Sequence, residues 1–446
     1  MHRTYYIANM GCQMNEYDSD HVGQILSNAG YLPVDHPDGA DLILINTCSV
    51  RAKAEQKAFS LLGRMSNLKR NTPGIILGVM GCVAQQEGVE LFRRFPDLDM
   101  IIGTREIDRL KDLVDRIIDR GERVNAVDLN AAPTVNISHN GYFKGRVKSF
   151  ISIMMGCNNF CSYCIVPYVR GREVSRNPDR IIDEAKKLVS QGIREITLLG
   201  QNVNSYCSHE NEETNFPGLL KRLSKVERLL RIRFTTSHPK DLSDELIGCF
   251  GEIENLCPHI HLPFQSGSNR ILNLMNRGYD SEHYSRLVYK LKKARPDISL
   301  TSDVIVGFPG ETEEDFQMTI DLIRQIEFDN LFSFKYSDRK GTAAEKLGQK
   351  IDESEKSRRL DLLQNLQRGI TLKKNRLLEG KEEAVLVDGT GKRDGQSSGR
   401  TGTNKIVNFN CNINLLGKLV NVKIERVFAN SLYGKLLSVD YSEQGF

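Results

Sequence analysis

Gly156-Cys-Asn-Asn-Phe-Cys-Ser-Tyr-Cys164 follows the apolar residues 150–155 and sets three thiols, Cys157, Cys161 and Cys164, in a C-x-x-x-C-x-x-C run. Thiolates this closely spaced on a loop converge on one inorganic centre more readily than they pair as disulfides. Three cysteines rather than four leave one coordination position for another molecule. The apolar residues before them read as a strand. Strand-like runs recur at 195–199, 231–236, 259–263, 300–306 and 331–336. Helical patterns lie between them, such as 179–190, which opens on Asn177-Pro178 and stops at Gly192. Six strands with interposed helices predict a partial parallel (β/α)6 barrel of the TIM type, with its site at the carboxyl ends of the strands. The loops there, 200–202, 237–239, 265–268 and 307–310, are rich in polar residues and glycine.

Upstream, strands at 4–9, 41–46, 74–80 and 100–103 alternate with helical stretches, which predicts a doubly wound parallel sheet. Cys12, Cys48 and Cys82 each fall in the loop just after one of these strands. Carboxyl ends of parallel strands line one edge of a sheet, so these three thiols meet in space although distant in sequence. The plainer reading is three buried packing cysteines. Residues 124–141 have no periodicity and read as a linker. A long charged helix from Ser354 to about Leu378 leads out of the barrel, and beyond Gly380 short β-type runs at 384–387, 405–408, 419–424 and 433–439 predict a small all-β barrel. Between Lys392 and Lys435 eight Lys/Arg stand against Asp394 and Glu425, either a nucleic-acid surface or an ordinary solvated one.

The 446 residues suggest two to four domains, and 39% hydrophobic with 26% charged residues is a globular composition, neither disordered nor membrane-spanning. No apolar run is long enough to span a bilayer and residues 1–10 lack a signal-peptide core, so a cytoplasmic protein with no membrane partner is expected. Ten cysteines in a reducing compartment read as metal or redox ligands. A net charge of +4 leaves nucleic-acid binding open. Zinc with an open position is compatible with the three-cysteine loop, but the neighbours Phe160, Tyr163, Ile165 and Val166 suit a larger, desolvated iron–sulfur cluster. His238, His259 and His261 lie at strand ends as structural or site-lining groups. Cys207, Cys249, Cys257 and Cys411 have no ligand-like spacing.

The cysteine loop after the first barrel strand resembles the radical S-adenosylmethionine superfamily. The whole chain resembles the methylthiotransferases within it. The matching segments are Gly11-Cys-Gln-Met-Asn-Glu-Tyr-Asp18, Asn46-Thr-Cys-Ser-Val-Arg51, Met80-Gly-Cys82, Tyr163-Cys-Ile-Val-Pro-Tyr-Val-Arg-Gly-Arg172, Leu199-Gly-Gln-Asn-Val-Asn204 and Gly307-Phe-Pro-Gly-Glu-Thr312. The resemblance implies two [4Fe-4S] clusters, one on Cys157, Cys161 and Cys164 that cleaves S-adenosylmethionine and an auxiliary one on Cys12, Cys48 and Cys82. It implies a domain at 1–124 for the auxiliary cluster, a linker at 125–141, a radical core at 142–379 and a TRAM-like RNA-binding module at 380–446. Tyr163, Gln201, Asn202, Ser266, Gly307 and Gly310 are the expected S-adenosylmethionine contacts, and Lys392, Arg393, Arg400 and Lys405 the expected RNA contacts. Ser49-Val50-Arg51 and Gln13-Met14-Asn15 resemble the branch that acts on N6-isopentenyladenosine beside the anticodon of tRNA. The expected partners are the tRNA anticodon stem-loop, an electron donor and a sulfur source, with the chain working as a monomer. Rival expectations are the branches acting on threonylcarbamoyl-adenosine or a ribosomal-protein aspartate, and a non-catalytic RNA-binding iron–sulfur regulator. Asp338, Lys340 and Gly402 depart from the family pattern, which has prolines at the first two and often an acidic residue at the third.

Overall fold

The computed structural model describes residues 2–49, 52–130, 143, 145–208, 214–391 and 393–439. Its first sheet is parallel throughout, in the spatial order Leu32–Pro33, Thr4–Met10, Leu42–Thr47, Ile76–Gly81, Met100–Ile102, Val124–Ala126. Its central strand Leu42–Thr47 is buried along its whole length, as a strand covered by helices on both faces must be. Val124–Ala126 and Leu32–Pro33, too short to show a period, are edge strands of this sheet. The first of them takes its three residues from the stretch expected to be linker.

Six parallel strands form the expected partial barrel as two hydrogen-bonded triplets. Lys148–Ser152, Glu195–Leu199 and Arg231–Phe234 make one, and His259–His261, Ser299–Val306 and Asn330–Lys335 the other. The bridge Ile232 to Leu256 joins them. The outward faces carry Ile196, Leu198, Ile232, Phe234, Ile260, Leu300 and Val304 into one core shared with the helices. The inward faces carry Glu195, Arg233, His259, His261 and Asp303, so this barrel is lined rather than filled. Glu353–Arg376 is the exit helix.

The C-terminal strands close a five-stranded barrel in the order Glu382–Thr390, Gln396–Thr401, Ile406–Asn410, Leu432–Val439, Leu419–Val427. Gln-Ser-Ser-Gly-Arg-Thr, which reads as a turn by composition, is the second strand. At Gly399 a Cβ would stand 2.3 Å from the Leu386 carbonyl oxygen, so glycine lets the neighbouring strand approach.

The module docks on the amino ends of the central strands, away from the cysteine loops. Arg231, first in its strand, donates to the Arg400 and Ala384 carbonyls at 2.5 and 2.9 Å. Arg233 donates to the Gly402 and Thr401 carbonyls, both at 2.8 Å, and pairs with Glu195 at 3.1 Å. Lys148 pairs with Asp388 at 2.5 Å. A Cβ at Gly402 would already touch the Pro258 ring at 3.2 Å, which accounts for glycine there in place of a longer acidic residue.

Candidate active site: two thiol trios on either side of one helix

All ten cysteines keep their thiols. Cys157, Cys161 and Cys164 follow the first barrel strand, and the turn into them depends on Gly156, whose φ is +75°. Its N–H donates to Gln201 Oε1 at 2.5 Å, and the Cys157 N–H donates to the Gly171 carbonyl at 3.2 Å. The loop is further stapled by Ser162, which donates to the Met275 carbonyl from its backbone and to the Leu274 carbonyl from its hydroxyl at 2.7 Å. Arg277, 5% exposed, points a guanidinium N–H at Cys161 Sγ at 3.3 Å and is held by the Pro263 carbonyl at 2.9 Å and Tyr279 Oη at 3.0 Å. Burial pushes the Cys164 thiol up to about 12 and raises Cys157, so both keep their protons until a metal replaces them.

Cys12, Cys48 and Cys82 do come together. Cys12 caps the helix Gln13–Asn28, Cys48 follows Leu42–Thr47, and Cys82 opens the helix Cys82–Glu87. A hydrogen bond with Cys48, helped by Arg170, lowers the Cys12 thiol to about 6, while burial raises Cys82. Asn15 and Asn46 set the spacing. Asn15 Oδ1 accepts from the Cys12 N–H at 3.1 Å, and Asn15 Nδ2 donates to Asn46 Oδ1 at 2.7 Å and the Thr47 carbonyl at 3.0 Å. Gly81 has φ +92°, and a Cβ there would lie 2.5 Å from the Thr47 carbonyl oxygen.

The trios meet through the short helix Val166–Arg170, which begins two residues past Cys164 and ends six past it. Ile165 and Val169 pack on Cys82. Arg170, 3% exposed, pairs with Asp18 of the first helix at 2.7 Å, and Asp18 is itself 1% exposed. Arg170 and Asp18 lie inside the two longest motif matches, yet neither stands out as a site residue in the sequence. Only the tertiary contact gives them one role.

Among the described residues no three His, Cys, Asp or Glu side chains stand as closely as the ligands of a single ion. A four-iron cube spreads its thiolates over several irons, and each trio has one buried arginine to offset the negative charge such a cluster carries. Buried polar atoms without partners among the described residues lie at the carboxyl ends of the barrel strands: Asn202 Oδ1, Ser237 Oγ, His238 Nε2 and Gln265 Oε1. A ligand bearing amino, carboxylate and hydroxyl groups, as S-adenosylmethionine does, fits that set. Burial pushes His238 down to about 2, so it presents a neutral ring.

The remaining expected contacts are less open. Gln201 is committed to Gly156, and Ser266, 1% exposed, accepts from the Ser268 N–H at 3.2 Å within a turn. Gly307 donates to Glu311 at 2.6 Å, and Gly310 to the Gln349 carbonyl. Tyr163 lies 3.4 Å from Arg277. Of the expected RNA contacts, Lys392 lies outside the described residues and Arg393 is exposed. Arg400 is held by Asn404 at 3.1 Å, and Lys405 is spent on the domain seam, pairing with Asp329 at 3.2 Å and Asn375 at 2.8 Å.

Three family descriptions match the chain in order: Uncharacterized protein family UPF0004 over residues 4–103, the Radical SAM superfamily over 151–323, and the TRAM domain over 376–437. The tRNA-2-methylthio-N(6)-dimethylallyladenosine synthase of Syntrophus aciditrophicus (strain SB) is 51% identical, covering 97% of this chain and 94% of that protein. The protein of the same name from Geobacter sulfurreducens (strain ATCC 51573 / DSM 12127 / PCA) is 49% identical, covering 97% of both. Among solved structures, the radical S-adenosylmethionine methyltransferase TsrM from Kitasatospora setae, with cobalamin and a [4Fe-4S] cluster bound, superposes with a TM-score of 0.56 at 16% identity, over 77% of this chain and 74% of that one. That likeness concerns the fold alone. Identity and coverage together place the chain in a family: it belongs to the tRNA-2-methylthio-N(6)-dimethylallyladenosine synthases.

Proposed function

We propose that this chain inserts a methylthio group at C2 of N6-isopentenyladenosine at position 37 of tRNA, with S-adenosylmethionine as methyl donor and as radical source. The observation that carries this reading is the Val166–Arg170 helix, which ends at the second thiol trio after leaving the first. Six residues of chain, most of them helical, hold the two sites on the order of 10–15 Å apart. A reaction that needs a radical from one centre and sulfur from another requires such closeness. Cys157, Cys161 and Cys164 would hold the cluster that opens S-adenosylmethionine, and Cys12, Cys48 and Cys82 the one that lends sulfur. When bound, these groups supply a 5′-deoxyadenosyl radical and a methylated sulfur.

The chain's own part is positioning. Arg277 and Gln201 fix the first loop, Asn15 and Asn46 fix the second, and the buried Arg170–Asp18 pair locks one against the other. Residues 1–124, 142–379 and 380–446 divide the work as auxiliary-cluster, radical and RNA-holding units. The module binds phosphates through its exposed face, with Arg393 on it, because Lys405 is turned inward. It sits at the far end of strands roughly 17 Å long, so the anticodon loop must reach around the barrel to present its base. The setting is cytoplasmic, with an external electron donor and sulfur source, and the chain acts as a monomer.

The test is anaerobic reaction of reconstituted protein with isopentenylated tRNA, S-adenosylmethionine and a reductant, followed by nucleoside mass spectrometry. The 2-methylthio nucleoside and 5′-deoxyadenosine are expected from wild type, and neither from Cys161→Ala. Formation of 5′-deoxyadenosine without the nucleoside refutes the substrate and points to threonylcarbamoyl-adenosine or a protein aspartate. No 5′-deoxyadenosine from wild type refutes catalysis and leaves an RNA-binding iron–sulfur regulator.

A further inference from the structure

Cysteines follow three strands of the first sheet, but the loop after a fourth, Met100–Ile102, carries Thr104 and Arg105 instead. Thr104 is buried and donates its hydroxyl to the Val169 carbonyl at 2.7 Å. Arg105 donates from Nε to the Arg170 carbonyl at 3.2 Å and from Nη2 to the Arg172 carbonyl at 2.7 Å. Two of these carbonyls end the helix Val166–Arg170, where intrahelical donors run out and a cation is favoured. No carboxylate pairs with Arg105 among the described residues, and burial alone shifts its guanidinium, downward. Its charge is therefore spent on backbone oxygens. Gly171 is fitted to it: φ is +76°, and a Cβ there would stand 2.9 Å from Arg105 Nη2. The same segment meets the radical loop on its other side. The Gly171 carbonyl accepts from the Cys157 N–H at 3.2 Å, and the Arg172 carbonyl oxygen lies 2.1 Å from where a Cβ of Gly156 would stand. Residues 169–172 are thus gripped from the sheet of the second trio while they back the first ligand of the other.

We propose that Arg105 is a positioning residue for the radical reaction: held by the sheet that carries Cys12, Cys48 and Cys82, it fixes the backbone behind Cys157 and keeps the two trios in register. This rests on the functional reading above. The Arg170–Asp18 pair joins two side chains, whereas Arg105 grips main chain, so it controls where the radical loop lies. Opening S-adenosylmethionine requires the first trio alone, while transfer requires both in register. A displacement of about 1 Å therefore costs transfer about 10- to 100-fold and spares cleavage.

The quantity to read is 2-methylthio nucleoside formed per 5′-deoxyadenosine, in reconstituted protein given isopentenylated tRNA, S-adenosylmethionine and a reductant. Loss of folded protein lowers both yields together and leaves this ratio unchanged; loss of register lowers the ratio. In Arg105→Gln with full iron the ratio is expected to fall about 10-fold or more. Arg105→Lys, which keeps the charge but not the two-pronged grip, should fall between it and wild type. Arg120→Gln, which removes an exposed cation of the same unit, should keep the wild-type ratio. Amide hydrogen exchange on the same samples should quicken about 10-fold across residues 156–172 in Arg105→Gln, as lost hydrogen bonds from a charged group predict. An unchanged ratio or unchanged exchange in iron-replete Arg105→Gln overturns the proposal. Should that variant lose iron, Arg105→Lys decides: a lowered ratio at full iron supports the clamp and an unchanged one refutes it. Wild type that yields 5′-deoxyadenosine but no 2-methylthio nucleoside refutes the functional reading instead, and hydrogen exchange then judges the clamp by itself.

Discussion

Replacing Gly156 by alanine should remove one of the two clusters and leave the other. Gly156 has φ +75°, and a Cβ there would lie 2.1 Å from the Arg172 carbonyl oxygen and 2.5 Å from that of Gly171. Ordinary contact begins near 3.4 Å, so the backbone must yield by about 1.3 Å. Neither carbonyl is idle. That of Gly171 accepts from the Cys157 N–H at 3.2 Å, and that of Arg172 accepts from Arg105 Nη2 at 2.7 Å. Left-handed backbone costs an L-residue about 1–2 kcal/mol, and losing one neutral and one charged hydrogen bond adds about 2–4 kcal/mol. The total, about 3–6 kcal/mol, falls on the segment that places Cys157, the first of the three thiols proposed to hold the radical cluster. Gly192 is the control, because its φ of +104° carries similar strain with nothing within 4 Å of its Cβ position. After anaerobic reconstitution, iron should fall from about eight atoms per chain to about four in Gly156→Ala, as expected for two four-iron clusters, and stay near eight in Gly192→Ala. Full iron with normal S-adenosylmethionine cleavage in Gly156→Ala would refute the reasoning, as would equal loss in both variants.

Two further outcomes follow from burial and charge. Arg393→Ala should weaken tRNA binding and reduce the salt dependence of log K by about one phosphate contact, while Lys405→Ala should leave that slope unchanged and lower the melting temperature, because its ammonium is spent on Asp329 and Asn375. Binding titrations over a range of salt separate the two, and a changed slope for Lys405→Ala would contradict the seam. His238 is pushed down to about 2 by burial, with Arg277 and Lys240 adding to the effect, whereas an unfolded histidine titrates near 6.5. The unfolded chain then binds a proton that the native one refuses. This contribution is intact above about pH 6.5 and declines by about 1.4 kcal/mol per pH unit below it. Thermal unfolding of wild type should therefore weaken more between pH 7.5 and 5.5 than that of His238→Gln; parallel curves would show the ring to be protonated in the native state.

Much of the site was legible because cysteine chemistry is local in one trio and periodic in the other. The loop 156–164 declares a metal-binding spacing within nine residues, and Cys12, Cys48 and Cys82 each recur after a strand of one repeating unit. Some elements were hidden for physical reasons. Leu32–Pro33 and Val124–Ala126 are edge strands too short for any alternation to register. Gln396–Thr401 looks like a turn because closing a narrow barrel requires small residues, and its strand character comes from neighbours on both sides. Lys405 counted toward a basic surface, although charge counting cannot tell an outward lysine from one meeting Asp329, which lies 76 residues upstream.

By itself the sequence determined the three-part α/β architecture and the six cysteines, since spacing and alternation are properties of the chain read in order. Tertiary structure alone decided how the parts are joined. It set Arg170 of the barrel against Asp18 and Cys82 of the neighbouring sheet, and it placed the C-terminal barrel at the amino ends of the central strands through Arg231 and Arg233. No periodicity encodes such pairings. They depend on which buried charges and carbonyls meet once the cores have formed, and an arginine in a strand or after a motif reads the same whether it faces water, a carboxylate or a sulfur.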